Sequence, residues 1–224
     1  IQAVVQFEQN AKDHGIIVQE YHSDNGSAFT SQNFRQHLTD KDQTCRFAGA
    51  GSHHQNGRAE RGIRTIMAMA RTMMLHSAIH WADVADATLW PMAVTLAVYI
   101  YNRMPSMKTG LCPFDLWSKT RFPHASLHDL HVFGCPAYVL KKKLADGKSI
   151  PRWTPRSDQG RYVGRSPNHA GSVPLILNLA TGNITPQWNV VLDDWFATVP
   201  ASIDELPDFH LDEWQKMFGT TCYD

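Results

Sequence analysis

The sequence predicts a chain of mixed α/β class, in which a region of helices and strands precedes a small all-β module. Two observations predict this class. Apolar residues recur at helical spacing over residues 58–77 and 90–101, whereas short β-like runs separated by Gly or Pro dominate after Pro113. The 224 residues, of which 43% are hydrophobic and 19% are charged, are enough to bury a core, and this composition excludes global disorder.

The first region is expected to alternate helices with short strands. Its predicted elements are a helix over 4–14, a strand over 16–22, a helix over 31–42, a strand over 44–47, and helices over 58–77 and 90–101. Gly15 stands at the usual C-terminal stop of the first helix, and the polar turn at 23–26 ends the first strand. Trp90, at the start of the last helix, is predicted to be a core residue.

The second region is expected to form a small barrel or meander. Its predicted strands cover residues 137–140, 159–163, 173–179 and 187–192. The predicted organisation therefore has three parts, which are a mixed α/β core over 1–120, a β-rich module over 125–199 and an acidic linker or tail over 200–224.

Charge is unevenly distributed along a chain whose formal net charge is zero. Residues 111–165 contain 10 Lys and Arg against 4 Asp and Glu, or +6, whereas residues 166–224 contain 1 against 8, or −7. This segregation indicates separate surfaces with separate functions. The basic segment contains three consecutive lysines, Lys141, Lys142 and Lys143. They can be interpreted either as a solvated strand end or as a group that neutralises the phosphates of DNA, and both interpretations stay open.

The cysteine pattern and the chain start bear on the cellular setting. The four cysteines are too sparse for a disulfide framework, which favours a reducing intracellular compartment. No apolar run approaches the roughly 18 residues of a membrane span, so no membrane partner is expected. The start at Ile1, without a basic and apolar leader, indicates an internal piece of a longer protein.

Two carboxylates are the strongest candidates for chemistry. Asp24 follows a predicted strand directly, and Glu60 lies in the first turn of the long predicted helix. Carboxylates at a strand end and a helix start can converge on hard divalent cations, and paired cations can drive phosphoryl transfer. A zinc site at His124, His128, His131 and Cys135 is not predicted, because these spacings fit no common structural zinc pattern.

The sequence around both acids is similar to that of retroelement integrases. The family's second-aspartate motif resembles residues 21–26, Tyr-His-Ser-Asp-Asn-Gly, together with Phe29. Its catalytic-glutamate motif resembles residues 54–61, His-Gln-Asn-Gly-Arg-Ala-Glu-Arg. Thirty-five residues separate Asp24 from Glu60, as in the family's Asp-Asp-(35)-Glu signature. Further matches follow in order at Trp81, 102–105, 113–117, 132–138 and 156–164, and the Val-Phe-Gly-Cys-Pro-Ala-Tyr run at 132–138 looks like the copia-type branch.

The resemblance implies an integrase portion of a retrotransposon Pol polyprotein. It implies a ribonuclease-H-like core, truncated at its N-terminus and followed by an SH3-like module, which joins element DNA to target DNA with Mg²⁺ or Mn²⁺. Asp24 and Glu60 would be two of three metal ligands, while Asn56, Arg61 and Arg64 would lie near DNA. The implied partners are DNA and, in the full-length integrase, further copies of the chain, and the implied location is the nucleus.

The chain departs from the family pattern at the first catalytic aspartate. The family's first aspartate stands several tens of residues before the second, and the aspartate found before Asp24 is Asp13, in a predicted helix. The 224 residues alone are therefore expected to be inactive. Whether the chain is an enzyme stays open, and the alternative is a non-catalytic nucleic-acid-binding remnant or a co-opted scaffold.

Overall fold

The computed structural model describes residues 1–49, 57–120, 127–169, 173–200 and 206–219. The chain forms two compact units, one comprising Ile1–Thr65 and Leu116–Thr120 and the other Ile66–Asp115 and Arg121–Asp224. The mixed α/β class with a β-rich second region is confirmed. The grouping differs from the predicted boundary between residues 120 and 125, which stays a prediction.

The first unit pairs two short strands beside several helices. Its elements are α1 (Gln2–Asp13), β1 (Glu20–Ser23), α2 (Ser27–Thr30), α3 (Gln32–Asp40), β2 (Thr44–Phe47) and the beginning of α4 (Gly57–His80). β1 and β2 run parallel, with Glu20 opposite Thr44 and Ser23 opposite Phe47. The helix before β1 and the strand over 44–47 are confirmed.

The strand predicted over 16–22 is wrong in its first half. β1 begins at Glu20, and Ile17 is 84% exposed. Its partner β2 has four residues, so the ladder extends over four pairs. Among the described residues, no strand pairs with the start of the apolar run that suggested a longer strand.

Helices α4 and α5 (Trp90–Tyr101) supply the helical layer of the second unit. The part of α4 in this unit buries the helical series Ala70, Met74, Ser77 and Ala78, which lies on one face at a period of 3.6 residues. α5 begins with Pro at its first turn and buries small and branched residues against the sheet. The prediction that Trp90 lies in the core is wrong, because Trp90 is the first residue of α5 and its side chain is 46% exposed.

A five-stranded antiparallel sheet packs with these helices in the second unit, in the order β6-β5-β4-β3-β7. Its strands are β3 (Pro136–Leu140), β4 (Ser157–Arg165), β5 (Pro174–Asn178), β6 (Ile184–Pro186) and β7 (Val190–Leu192). The single strand predicted over 187–192 is wrong at its beginning, since residues 187–189 form the connection between β6 and β7. Pro186 is the last residue of β6, an edge strand, which is where a sheet tolerates proline because proline cannot donate to the ladder.

The described residues also form three short α-helices, α6 (Pro113–Ser118), α7 (Lys142–Ala145) and α8 (Asp212–Gly219), and two 3-10 turns between α4 and α5, at Ala82–Val84 and Ala87–Leu89. α8 lies in the segment predicted as a linker or tail, and its Trp214 is buried in the core of the second unit. Asp212 and Glu213 in its first turn suit the positive end of a helix dipole. Along the described ranges, no helix is both long enough and apolar enough to cross a membrane.

Candidate functional site

Asp24 lies at the carboxyl end of β1, as the sequence predicts. The Gly26 N–H donates to Asp24 Oδ1 at 3.0 Å, and the Ser23 hydroxyl donates to the Asp24 carbonyl at 3.1 Å. Asn25 Nδ2 donates to the Ala48 carbonyl at 3.2 Å, and the Ala48 N–H donates to the Ser23 carbonyl at 2.9 Å. These bonds hold the turn on both sides, so the exposed Asp24 carboxylate has a fixed place beyond the strand.

Gly26 leaves space for the Asp24 carboxylate in this turn. A Cβ at this position would lie 2.9 Å from Asp24 Oδ1 and 3.8 Å from the Phe29 ring. A side chain there would displace the carboxylate from its hydrogen bond. The Asp-Asn-Gly order therefore fixes the orientation of the acid.

Glu60 lies in the first turn of α4 and is partly exposed. Its negative charge is stabilised there by the unpaired N–H groups at the helix start. Arg61 and Arg64 are exposed on the same helix, and Arg64 follows Glu60 by one turn on the same face. Asn56, the third residue that the resemblance implies near DNA, lies outside the described residues.

The two carboxylates offer the type of ligand atom that a hard divalent cation prefers. Asp24 and Glu60 offer oxygen atoms, which Mg²⁺ and Mn²⁺ prefer. Within the described ranges, no three His, Cys, Asp or Glu side chains lie close enough together to hold a metal ion. The assignment of both acids as metal ligands stays a prediction.

A partly buried polar cluster links β1 to the neighbouring helices α1 and α3. Tyr21 on β1 donates to Glu8 Oε1 on α1 at 2.8 Å, and His37 Nε2 on α3 lies 3.0 Å from the same oxygen. Partial burial would raise the pKa of Glu8, but hydrogen bonds from His37, Tyr21 and Gln43 outweigh it and hold this pKa below its ordinary value. Burial and the nearby Glu8 raise the pKa of Tyr21. This cluster positions the strand that carries Asp24.

The three predicted lysines follow β3 but do not extend it. Lys141 is the N-cap of α7, and Lys142 and Lys143 are exposed within this one-turn helix. Lys141 Nζ lies 3.7 Å from Asp158 Oδ1 on β4. Lys142 and Lys143 are therefore the members of the trio that present their charge to solvent.

Sequence reasoning did not single out Trp188, which the structure leaves 69% exposed between β6 and β7. It stands at the rim of a concavity of about 370 Å³ that Lys142 and Asn178 also line. The available signal was a tryptophan between two amides, Gln187 and Asn189, directly after Pro186. Such a pattern is typical of an exposed connection rather than of a core position.

No family model matches this chain. It is 30% identical over 145 residues, or 62% of its length, to a retrovirus-related Pol polyprotein from transposon TNT 1-94 of Nicotiana tabacum. It is 29% identical over 185 residues, or 77% of its length, to the corresponding polyprotein from transposon RE2 of Arabidopsis thaliana, and 32% identical over 125 residues, or 53%, to that from transposon RE1. The chain spans 10%, 11% and 7% of these relatives, respectively.

Among solved structures, the chain is similar to one from a simian T-cell lymphotropic virus intasome in complex with the PP2A regulatory subunit B56 gamma. The TM-score is 0.42 and the sequence identity is 15%, with coverage of 85% of this chain and 63% of that chain.

Proposed function

We propose that this chain is the integrase portion of a transposon Pol polyprotein and that it serves to join element DNA to target DNA. The chain is similar to the retrovirus-related Pol polyproteins of three transposons. One observation carries the proposal. Asp24 follows β1 directly and Glu60 lies in the first turn of α4, with 35 residues between them. These are the two places at which the integrase motifs require their acids.

In this proposal residues 1–120 belong to a ribonuclease-H-like core and residues 125–199 to an SH3-like module. Asp24 and Glu60 hold divalent metal, Mg²⁺ or Mn²⁺, together with the family's first aspartate. When bound, the metal ions activate the attacking oxygen and stabilise the leaving oxygen of a phosphodiester. The enzyme acts as a homo-oligomer on DNA, and its place of action is the nucleus.

The chain's own residues orient the acids and contact DNA. The Gly26 N–H holds Asp24 Oδ1, so little reorganisation of this side chain is needed when charge develops in the reaction. Arg61 and Arg64 lie beside Glu60 on an exposed helix surface, where guanidinium groups can pair with phosphates. Asn56 is proposed to contact DNA just before that helix.

The proposal is tested with a longer Pol segment that contains these 224 residues and the family's first aspartate. Short duplexes with element-end sequences are incubated with a target duplex, and joined products are counted with Mg²⁺, with Mn²⁺ or with a chelator. Joining is expected to require the metal, and Asp24→Asn should lower its rate at least about 100-fold. Asp42→Asn is the matched control, because Asp42 is exposed and its φ of 52° is one that Asn also tolerates. Metal-independent joining, or near-normal joining by Asp24→Asn, would refute the proposal.

A second candidate function is non-catalytic nucleic-acid binding by a remnant or co-opted scaffold. The observation that favours it is the +6 charge of residues 111–165, with Lys142 and Lys143 exposed. This surface can bind phosphates whether or not the acids act. Tight DNA binding by the longer segment, without any joined product in either metal, would favour this function.

A further inference from the structure

A concavity of about 370 Å³ opens on the five-stranded sheet, at a distance in sequence from both candidate catalytic acids. Val139, Gly160 and Ile176 line it from the adjacent strands β3, β4 and β5. A Cβ on Gly160 would lie 2.6 Å from Ile176 Cγ2, so glycine at this position permits the close packing of the floor. The size lies within the range of about 300–1,000 Å³ that small-molecule sites occupy.

The rim carries an aromatic ring whose backbone is held on both sides. The Gln187 N–H donates to the Pro174 carbonyl at 3.0 Å, and the Asn189 carbonyl accepts from the Leu140 N–H at 2.9 Å. Trp188 lies between these two anchors and is 69% exposed. An exposed indole on a fixed backbone is a platform on which a flat ring can stack.

Two side-chain amides on the rim are also oriented by hydrogen bonds. Gln187 Nε2 donates to Thr185 Oγ1 at 2.9 Å, and Asn178 Oδ1 accepts from the N–H groups of Ala180 and Thr181 at 2.9 and 3.0 Å. Across the described part of the chain, no hydrogen bond engages Gln187 Oε1 or Asn178 Nδ2. The rim thus presents acceptor and donor groups from side-chain amides, which the edge of a nucleobase complements.

Positive charge lies next to these groups. Lys142 lines the concavity, and Lys143 follows it on the exposed helix α7. The carboxylate of Asp158, which also lines the concavity, is paired with Lys141 at 3.7 Å. The lysines favour a ligand with a phosphate beside its ring and disfavour a neutral sugar, which needs no cation.

We propose that this concavity binds an unstacked nucleobase of single-stranded nucleic acid. The base stacks on Trp188, its edge meets Asn178 and Gln187, and the flanking phosphate meets Lys142. This single-strand site is distinct from the strand-joining function proposed above, and it does not require Asp24 or Glu60.

The test compares three labelled probes by fluorescence anisotropy with the 224-residue chain. The probes are an oligothymidylate of about ten nucleotides, an abasic strand of the same length, and a duplex. The chain should bind the base-bearing strand about 5–160-fold more tightly than the abasic strand, which is the scale of one stacked base. Trp188→Ala should reduce this preference to near one and leave the affinity for the abasic strand unchanged.

The matched control is Trp195→Ala, because Trp195 is 89% exposed and does not line the concavity. This variant should keep the full preference for bases, and Trp188→Phe should restore part of what Trp188→Ala loses. Circular dichroism of each variant verifies that the fold is kept. Equal binding of the base-bearing and abasic strands by the unsubstituted chain, or a preserved preference in Trp188→Ala, would overturn the inference. Neither result would affect the strand-joining proposal, which the metal-dependent assay tests separately.

Discussion

Gly134, which lies just before β3, is the described glycine at which a single added methyl group should crowd the second unit most closely. Its φ is +78°, a conformation that disfavours side chains, and its added Cβ would lie 1.9 Å from Ser77 Oγ on α4. The same Cβ would lie 3.1 Å from Arg161 Nη2, a buried guanidinium that donates to Ser77 Oγ. The close contact between this backbone and α4 therefore leaves no room for a side chain.

The expected cost of Gly134→Ala has two parts. Left-handed backbone costs alanine about 1–2 kcal/mol, and overpacking a filled site costs about 1–3 kcal/mol more. The sum is a loss of about 2–5 kcal/mol in the free energy of unfolding. Gly182→Ala is the matched control, because Gly182 has a φ of +70° but nothing within 4 Å of an added Cβ. It should cost only the backbone part, about 1–2 kcal/mol.

The assay is equilibrium unfolding in urea, followed by circular dichroism and tryptophan fluorescence on the same samples. Coincident transitions from the two probes are needed before the free energies are compared. The difference between the two glycine variants should be about 1–3 kcal/mol. Values that agree within about 0.5 kcal/mol would refute the steric reasoning, because the crowding at Ser77 would then cost nothing measurable.

Two further predictions concern charge. Replacing Lys142 and Lys143 together by Gln should flatten the slope of log affinity for duplex DNA against log salt by about 2, roughly 0.9 for each lost phosphate contact. Lys141→Gln should change this slope less, because Lys141 pairs with Asp158. An unchanged slope in the double variant would show that both lysines lie on a solvated surface and do not contact phosphates. The pKa of Glu8 is lowered below 4.5 in the fold, so its ionised form stabilises the protein above about pH 4.5, and this contribution is lost as pH falls through the folded-state value. Melting temperatures across pH 3–7 should therefore fall more steeply on the acid side for the unsubstituted chain than for Glu8→Gln, and parallel curves would contradict the role of the cluster.

Local sequence patterns were enough to predict several elements and the places of the two candidate acids, although β1, which precedes Asp24, is shorter than predicted. β2 and α5 have the predicted bounds. α5 is a continuous apolar run with proline in its first turn, and both features are visible in the local sequence. Asp24 and Glu60 lie where the sequence predicted them, at a strand end and in the first turn of a helix. Both positions depend on neighbours within a few residues, which a sequence pattern contains.

Features that depend on distant partners could not be predicted in this way. Arg161, in the middle of β4, is 2% exposed and donates to the carbonyls of Gly134 and Val84, although strand alternation alone does not predict a buried cation there. Burial lowers the pKa of Arg161 to about 10, and a nearby Asp86 acts against this shift. The Trp188 concavity was missed for the same reason, since strands from separate parts of the chain must meet before it exists.

The most direct test of the integrase proposal measures strand joining by the longer Pol segment with Asp24→Asn, Glu60→Gln and both substitutions together. If the two carboxylates hold the same metal ions, each single variant should lose at least about 100-fold in rate, and the double variant should lose little more than the worse single variant, because groups that act as a unit are not additive. Removal of divalent metal should lower the unsubstituted segment to the same residual level. Losses that multiply in the double variant, or a Glu60→Gln segment that joins DNA at the normal rate, would contradict the assignment of these two acids to one site.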